Sequence, residues 1–342
     1  MNKKNVISRR ATLLLIAAAL ALTLIGTALL GNSYRFTTEA VMIPGPNGNL
    51  TGVLTTPLES EIRGLVVMVH GDGPVNATHD GLYSPWFKGA AAAGFATLSW
   101  SKPGLDNSDG NWLGQSMEDR TAEVDAAINW ARQSGRTSTE RIVLWGASQA
   151  GWVLPKVVSS REDVHAIIAV GPAINWLRQG RYNLLSELRH EARNSQEREQ
   201  AITQSDRTRQ LLEHAASYQE YCSSRVDAEP MSEQRWNFVL KNFRSDATED
   251  LLRSSARSIP VHLVIGSHDR NVDVDETEKT YKSIFGPLLS VKRVEGNHSL
   301  ARPVVEENAA VGLVTGLVWP RALLAPGAID SYTEFLAKVA AD

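Results

Sequence analysis

The sequence predicts a mostly parallel, eight-stranded α/β sheet covered by helices on both faces, and three observations predict it. Short runs of Val, Ile and Leu recur along the chain in the form of strands buried on both faces. Segments with helical periodicity separate these runs, which is the alternation that builds parallel sheets. The residues able to do chemistry fall just past the carboxyl ends of the runs, where open α/β sheets bind their ligands.

The amino terminus stands apart from this pattern. Lys3, Lys4, Arg9 and Arg10 precede an uncharged stretch from Ala11 to Gly31 built of Ala, Leu, Ile and Thr. A helix of that length, at ~1.5 Å per residue, reaches ~30 Å, the thickness of a bilayer core. The positive cluster keeps residues 1–10 in the cytoplasm and sends the rest outward. No A-x-A-like cleavage site is visible near Leu29 to Ser33, so residues 11–31 read as an uncleaved signal-anchor, with a cleaved signal peptide as the alternative. The expected location is the plasma membrane, single-pass with the following domain exported, or secreted or periplasmic after cleavage.

Residues 38–342 form the expected globular domain. Glu39 to Ile43 and Leu50 to Thr56 flank a Pro/Gly/Asn-rich turn and read as a leading hairpin. Buried-type strands follow at residues 64–71, 94–100, from Arg141 up to the serine turn, and at 165–172, 261–266 and 289–294. A helix spans roughly Pro85 to Ala93. Another begins after Ser116, an N-cap with Asp119 three residues on, and carries Val124, Ala127, Ile128 and Ala131 on one face. Tyr332 to Ala340 reads as a closing helix. From about residue 173 to 258 the alternation stops. This Arg-, Glu- and Gln-rich segment reads as several helices inserted between two strands, placed to cap the strand ends. Ala309 to Trp319 is apolar but too short to span a membrane, and reads as a buried or surface-packed insertion.

Composition narrows the partners. A net charge of -3 gives no electrostatic basis for binding nucleic acid. Cys222 is the single cysteine, which excludes an intramolecular disulfide and a cysteine-based metal site. His79-Asp80 and His268-Asp269 are isolated pairs that do not make a ligand set, so no metal and no cofactor are expected.

The chemistry centres on Arg141-Ile142-Val143-Leu144-Trp145-Gly146-Ala147-Ser148-Gln149-Ala150-Gly151-Trp152. Small residues at 146 and 150 bracket Ser148 where a sharp strand-to-helix turn crowds the backbone, and such a turn presents the hydroxyl at the strand's carboxyl end. The N–H of Gln149, at the helix start, is free to stabilise an oxyanion. A serine nucleophile needs a base, and the base needs an acid to orient it. His298 lies in the loop after the last strand and Asp269 just past the strand before it; Asp273 and Asp275 are rival acids. His70-Gly71-Asp72-Gly73-Pro74 ends an early strand and resembles the H-G-x-G-P turn of the α/β-hydrolase superfamily; the resemblance implies that the N–H of Asp72 is the second oxyanion donor, with the carboxylate pointing away, and the glycines on both sides allow the dihedrals such a turn needs. His70 itself, at the end of a buried strand, reads as structural. Trp100, Trp112, Trp145 and Trp152 read as core or cap contacts, with an acyl pocket as the alternative.

These motifs resemble the α/β-hydrolase superfamily, whose usual elbow is G-x-S-x-G; here Ala150 replaces the last glycine. The order Ser148, Asp269, His298 is the superfamily's order of nucleophile, acid and base. The run Gln149-Ala150-Gly151-Trp152-Val153-Leu154-Pro155, with Lys102-Pro103-Gly104 and Gln115-Ser116-Met117-Glu118-Asp119-Arg120, is similar to the dienelactone hydrolase and serine aminopeptidase-like branch. Pro155 would lie two turns into a helix begun at the serine and should damage it, yet the branch commonly has proline there. The resemblance runs from about Thr38 to Ala340. It implies a serine hydrolase acting on a small-molecule acyl substrate, with carboxylic esters first and peptides, amides or thioesters as alternatives. A catalytically silent, hydrolase-like binding domain is the alternative of another class.

Overall fold

The apolar runs pair into one sheet. In the computed structural model, which describes residues 3–341, strands β1 (Phe36–Gly45), β2 (Gly48–Pro57), β3 (Gly64–Val69), β4 (Phe95–Trp100), β5 (Ile142–Ala147), β6 (Val164–Val170), β7 (Val261–Gly266) and β8 (Leu289–Val294) form an 8-stranded sheet. Met1, Asn2 and Asp342, at the outer ends of the expected 1–10 and 38–342 segments, lie outside the described residues. The strand order is β1-β2-β4-β3-β5-β6-β7-β8; β2 runs antiparallel to both of its neighbours, β1 and β4, and the pairings from β4 to β8 are all parallel.

The central strands are apolar throughout because both faces are covered, and their alternation still sorts the side chains. Leu65, Val67 and Val69 of β3 join Leu144 of β5 and Leu263 of β7 in a core on one face. Helices α3 (Met117–Ser134) and α4 (Leu154–Ser160) close that core with Val124, Ala127, Ile128, Ala131, Val157 and Val158. Val66 and Met68 of β3 and Trp145 of β5 point to the other face, against α2 (Ser84–Ala92) and the last helix, Ala328–Ala341. Helix α3 starts where its sequence specifies: Ser116 accepts from Asp119 N–H while the Asp119 carboxylate accepts from Ser116 N–H.

Five helices fill the gap between β6 and β7: α5 (Trp176–His190), α6 (Ser195–Glu213), α7 (Tyr218–Ser224), α8 (Glu233–Asn242) and α9 (Thr248–Ser255). They hold a small core of their own around Tyr221 and Trp236, whose rings stack with centroids 4.1 Å apart. Beyond β7 come α10 (Val274–Phe285), then, after β8, α11 (Pro303–Glu307), α12 (Ala309–Val318) and α13 (Ala328–Ala341). Helix α1 (Lys3–Gly31) precedes the sheet, and its stretch Ala11–Gly31 is long and apolar enough to cross a membrane.

One expectation needs correction, and one is decided between its two alternatives. No helix begins at Ser148: residues Ser148–Trp152 form a tight 3-10 turn and α4 starts at Leu154, so Pro155 occupies the first helical turn, where its missing N–H costs nothing. Of the two readings of Ala309 to Trp319, buried or surface-packed, the structure has the second: no residue of α12 is buried, Leu313 and Leu317 face outward, and the helix packs against α1.

Glycine decides how closely the last two strand-end loops approach. A Cβ on Gly266, at the end of β7, would lie 2.2 Å from the Asn297 carbonyl oxygen and 2.4 Å from that of Gly296, both backbone atoms of the loop carrying His298. At Gly180, inside α5, an added Cβ meets nothing within 4 Å. Gly266→Ala is therefore expected to lower the thermal midpoint, at a cost of about 1–3 kcal/mol. Gly180→Ala is expected to raise it, by up to about 1 kcal/mol. Parallel melts of the two variants check the pair.

Candidate active site

Ser148 sits at the carboxyl end of β5 with φ +52, a left-handed conformation that a residue with a Cβ adopts only under constraint. Its neighbours supply that constraint. A Cβ on Gly146 would be 2.7 Å from the Ala150 methyl, and one on Gly151 would be 2.7 Å from Cβ of Pro172. The turn thus tolerates alanine at 150 because position 146 is bare, and the glycine it needs is Gly151, packed on the end of β6. A Cβ on Gly71 would lie 3.3 Å from Ser148 Cβ, so the His70-Gly71 turn also presses close to the serine.

His298 and Asp269 follow neighbouring strands, β8 and β7. Ala147 of β5 pairs with Val170 of β6, which sets Ser148 beside Gly171, one strand spacing (~4.8 Å) away. The His298 ring lies against Gly171: a Cβ there would be 3.5 Å from its Cε1 and Nδ1. His298 Nδ1 donates to Asp269 Oδ2 at 2.7 Å, and the Asp269 side chain is fully buried. The other oxygen, Oδ1, accepts the backbone N–H groups of Asn271 (2.7 Å) and Val272 (2.9 Å), which fixes the carboxylate. With Nδ1 committed to the carboxylate, the lone pair of a neutral His298 is on Nε2. Among the described residues no hydrogen bond joins Ser148 Oγ to His298. The rival acids are occupied elsewhere: Asp273 caps α10 through the N–H groups of Asp275 and Glu276, and Asp275 pairs with Arg293 at the surface.

The early strand-end loop is held by groups whose roles the sequence did not reveal. Buried Lys102 donates to the carbonyls of Gly71 (2.6 Å) and Gly73 (2.8 Å), clasping Asp72 from both sides. Buried Arg120 donates from Nη1 to Gln149 Oε1 (2.6 Å) and from Nη2 to the His70 carbonyl, so one guanidinium ties the loop bearing Asp72 to the turn bearing Gln149. Burial, reinforced by Arg120, holds the Lys102 ammonium well below the ordinary lysine value. Burial also pushes Glu123, beside Arg120, up to about 7. Lys102 and Arg120 both lie in the stretches that carry the family resemblance, but a lysine after a strand or an arginine in the first turn of a helix gives no sign that its head group will be buried on carbonyl and amide oxygens.

The Asp72 carboxylate points outward, to a two-pronged ion pair with Arg235 of α8: Nη1 to Oδ1 at 3.0 Å and Nη2 to Oδ2 at 2.5 Å. Burial would raise its pKa, but the Arg235 hydrogen bonds and charge win and lower it. The inserted helices also touch the acid's loop, through Tyr182 Oη to the Asp269 carbonyl (3.1 Å) and Asn183 Nδ2 to the Arg270 carbonyl (3.2 Å). Trp100, Trp145 and Trp152 are core residues; Trp112 is half-buried, between Phe238 and Lys102, whose Nζ lies 5.0 Å from its ring.

The sequence matches the family model "Serine aminopeptidase, S33" over residues 60–298. No match is found among curated protein sequences. Among solved structures the chain is similar to an esterase of Pyrococcus furiosus, with 15% identity, a TM-score of 0.53, and coverage of 89% of this chain and 90% of that one. It is similar also to a fungal esterase from Rhizomucor miehei (15% identity, TM-score 0.53, 90% and 85% coverage) and to Est1E from Butyrivibrio proteoclasticus (14%, 0.51, 89% and 99%). At these identities the likeness to solved structures is one of fold.

His70 gives the site a defined acid sensitivity. Its Nε2 donates to the Trp100 carbonyl, so Nδ1 accepts the Tyr83 hydroxyl at 3.1 Å and the ring is neutral. Burial lowers its pKa from 6.5 to about 3. A depressed histidine contributes stability that is complete above 6.5 and is lost as pH falls toward 3, because the unfolded chain takes up the proton first. Stability followed by denaturant titration is expected to fall across that window, and His70→Gln is expected to be less stable at pH 7 but to show a shallower slope.

Proposed function

As a member of the serine aminopeptidase (S33) family of α/β hydrolases, the chain is a hydrolase, and we propose that it cleaves carboxylic esters through an acyl-enzyme on Ser148. The observation that carries the reading is the 2.7 Å bond from His298 Nδ1 to buried Asp269, beside a serine held at φ +52. Ser148 Oγ attacks the acyl carbonyl carbon while His298 Nε2 takes its proton. Asp269 orients the ring and stabilises the imidazolium. The carbonyl oxygen becomes an oxyanion held by the N–H groups of Asp72 and Gln149, and His298 returns the proton to the departing alcohol. Water, deprotonated by His298, then releases the acid and frees Ser148. The apo site need not hold the Ser148–His298 bond formed, since such bonds often tighten only with substrate present.

Two features support an ester over an aminopeptidase substrate. A peptide's amino-terminal ammonium needs a carboxylate partner, and the acidic side chain beside the hole, Asp72, is engaged by both prongs of Arg235. The buried cations Lys102 and Arg120 beside the same loop repel a second positive charge. Lys102 and Arg120 act here as positioning residues: Lys102 holds the carbonyl of the Gly71–Asp72 peptide, whose N–H faces the oxyanion, and Arg120 ties the neighbouring His70 carbonyl to the Gln149 side chain. Helices α5 to α9 form the cap over the site, and α1 is a signal-anchor that holds the exported domain at the membrane; release by cleavage after α1 would leave the same domain free.

Hydrolysis of p-nitrophenyl esters is expected for the wild type and is expected to vanish in Ser148→Ala. Arg120→Met is expected to lower kcat roughly 10²-fold, the order of losing one oxyanion donor, with KM little changed. A fall in KM affinity with kcat intact would assign Arg120 to substrate binding instead.

A further inference from the structure

We propose that α12 lies in the outer interface of the membrane that α1 crosses, as a second, non-spanning lipid contact of the catalytic domain. This rests on the reading of α1 as an anchor. The helix has no charged residue, and Leu313 and Leu317, one turn apart, are each 65% exposed, with Val314 at 58% between them. In water that is an unexplained apolar stripe. Its ends are polar: Glu306-Glu307-Asn308 before it, with Asn308 capping the Ala310 and Val311 N–H groups, and Trp319-Pro320-Arg321 after it. A 10-residue helix with both ends polar cannot span a bilayer, but it can lie along the surface with its apolar face down.

The helix is placed where the bilayer would end. It packs on the end of α1, and a Cβ on Gly31 would lie 2.3 Å from the Val318 carbonyl oxygen, so the two backbones touch. Asn32 Nδ2 donates to carbonyls of both helices, Ala28 (2.8 Å) in α1 and Leu317 (3.0 Å) in α12. Arg321 donates to the Ser33 carbonyl, and its guanidinium lies 4.8 Å from the Tyr34 ring and 5.8 Å from that of Trp319. Aromatic rings with an arginine at the end of an apolar helix form the girdle typical of a membrane–water boundary. The exposed leucines of α12 continue the apolar surface of Leu29 and Leu30 at that end of α1.

The excursion is also tied to the site. It leaves and rejoins the domain at an antiparallel bridge, Ala301 to Leu324, closed by Arg302 N–H to Leu323 and Ala325 N–H to Leu300. Ala301 is three residues beyond His298, so the excursion that carries α12 starts from the loop that bears the proposed base.

The test uses the full chain in a Cys222→Ser background, reconstituted in vesicles of phosphatidylcholine and phosphatidylglycerol. Single cysteines at Leu20, Leu313, Leu317 and Leu252 carry an environment-sensitive fluorophore, and some of the phosphatidylcholine carries an acyl-chain nitroxide. Leu252 is a comparably exposed leucine (54%) on α9, against the opposite face of the sheet. The proposal expects blue-shifted, nitroxide-quenched emission at Leu20→Cys, Leu313→Cys and Leu317→Cys, and none at Leu252→Cys. Quenching at Leu20→Cys with the α12 labels behaving like Leu252→Cys would overturn it while leaving the anchor standing. No quenching even at Leu20→Cys would remove the anchor and this inference together. Disulfide-linked dimers of Leu313→Cys without quenching would assign the stripe to a second copy and overturn it as well.

Discussion

A serine forced into the left-handed region of backbone space is the constraint on which the site depends. That conformation costs a residue with a Cβ on the order of 1–3 kcal/mol, and it persists because the surroundings over-determine it. Gly146 yields space to Ala150, Gly151 yields space to Pro172, and Gly71 lets the neighbouring loop close to the serine. Each of these approaches is set by the register of β5 between β3 and β6. The strain is offset by the apolar packing of those strands on both faces, which ties the stability of the core to the orientation of one hydroxyl.

Electrostatics form a second layer on that frame. Two cations are buried beside the two peptides that flank the site, and both are satisfied mainly by carbonyl or amide oxygens, Lys102 on Gly71 and Gly73, Arg120 on His70 and Gln149. Buried charge is costly unless it is bonded, so these groups hold the loops rigidly. They also place positive charge behind the N–H groups where negative charge would develop, an arrangement that needs no reorganisation during the reaction. Arg235 extends the network outward by taking the Asp72 carboxylate into an ion pair with α8. Helix α8 and the loop bearing Asp72 are therefore joined by this ion pair.

Much of this was legible in the sequence, and the reasons are local. The buried strands are continuous Val, Ile and Leu runs, and the α3 start is written as Ser116 and Asp119. Ser148, Asp269 and His298 follow strands whose ends the apolar runs mark, so their convergence at one edge could be read from order alone. Three things could not. The position of Pro155 looked damaging because the 3-10 turn before α4 is a consequence of Ser148's backbone, which composition does not disclose. The grip of Lys102 and Arg120 depends on long side chains crossing between loops, and Arg235 reaches Asp72 across 163 positions of sequence. Whether α12 is buried or surface-packed stayed open because an apolar run of ten residues has the same pattern whether it faces a core or the outside.

The central claim is that Ser148 is an activated nucleophile, and covalent capture tests it most directly. The protein is treated with a fluorophosphonate, which phosphonylates a serine only where a base and an oxyanion hole assist, and the adduct is mapped by peptide mass spectrometry. The account predicts one adduct per chain, on Ser148, formed far more slowly in His298→Ala and Asp269→Asn. An unmodified Ser148 in folded protein, or a rate indifferent to His298, would contradict it and point to a hydrolase-like domain used for binding alone.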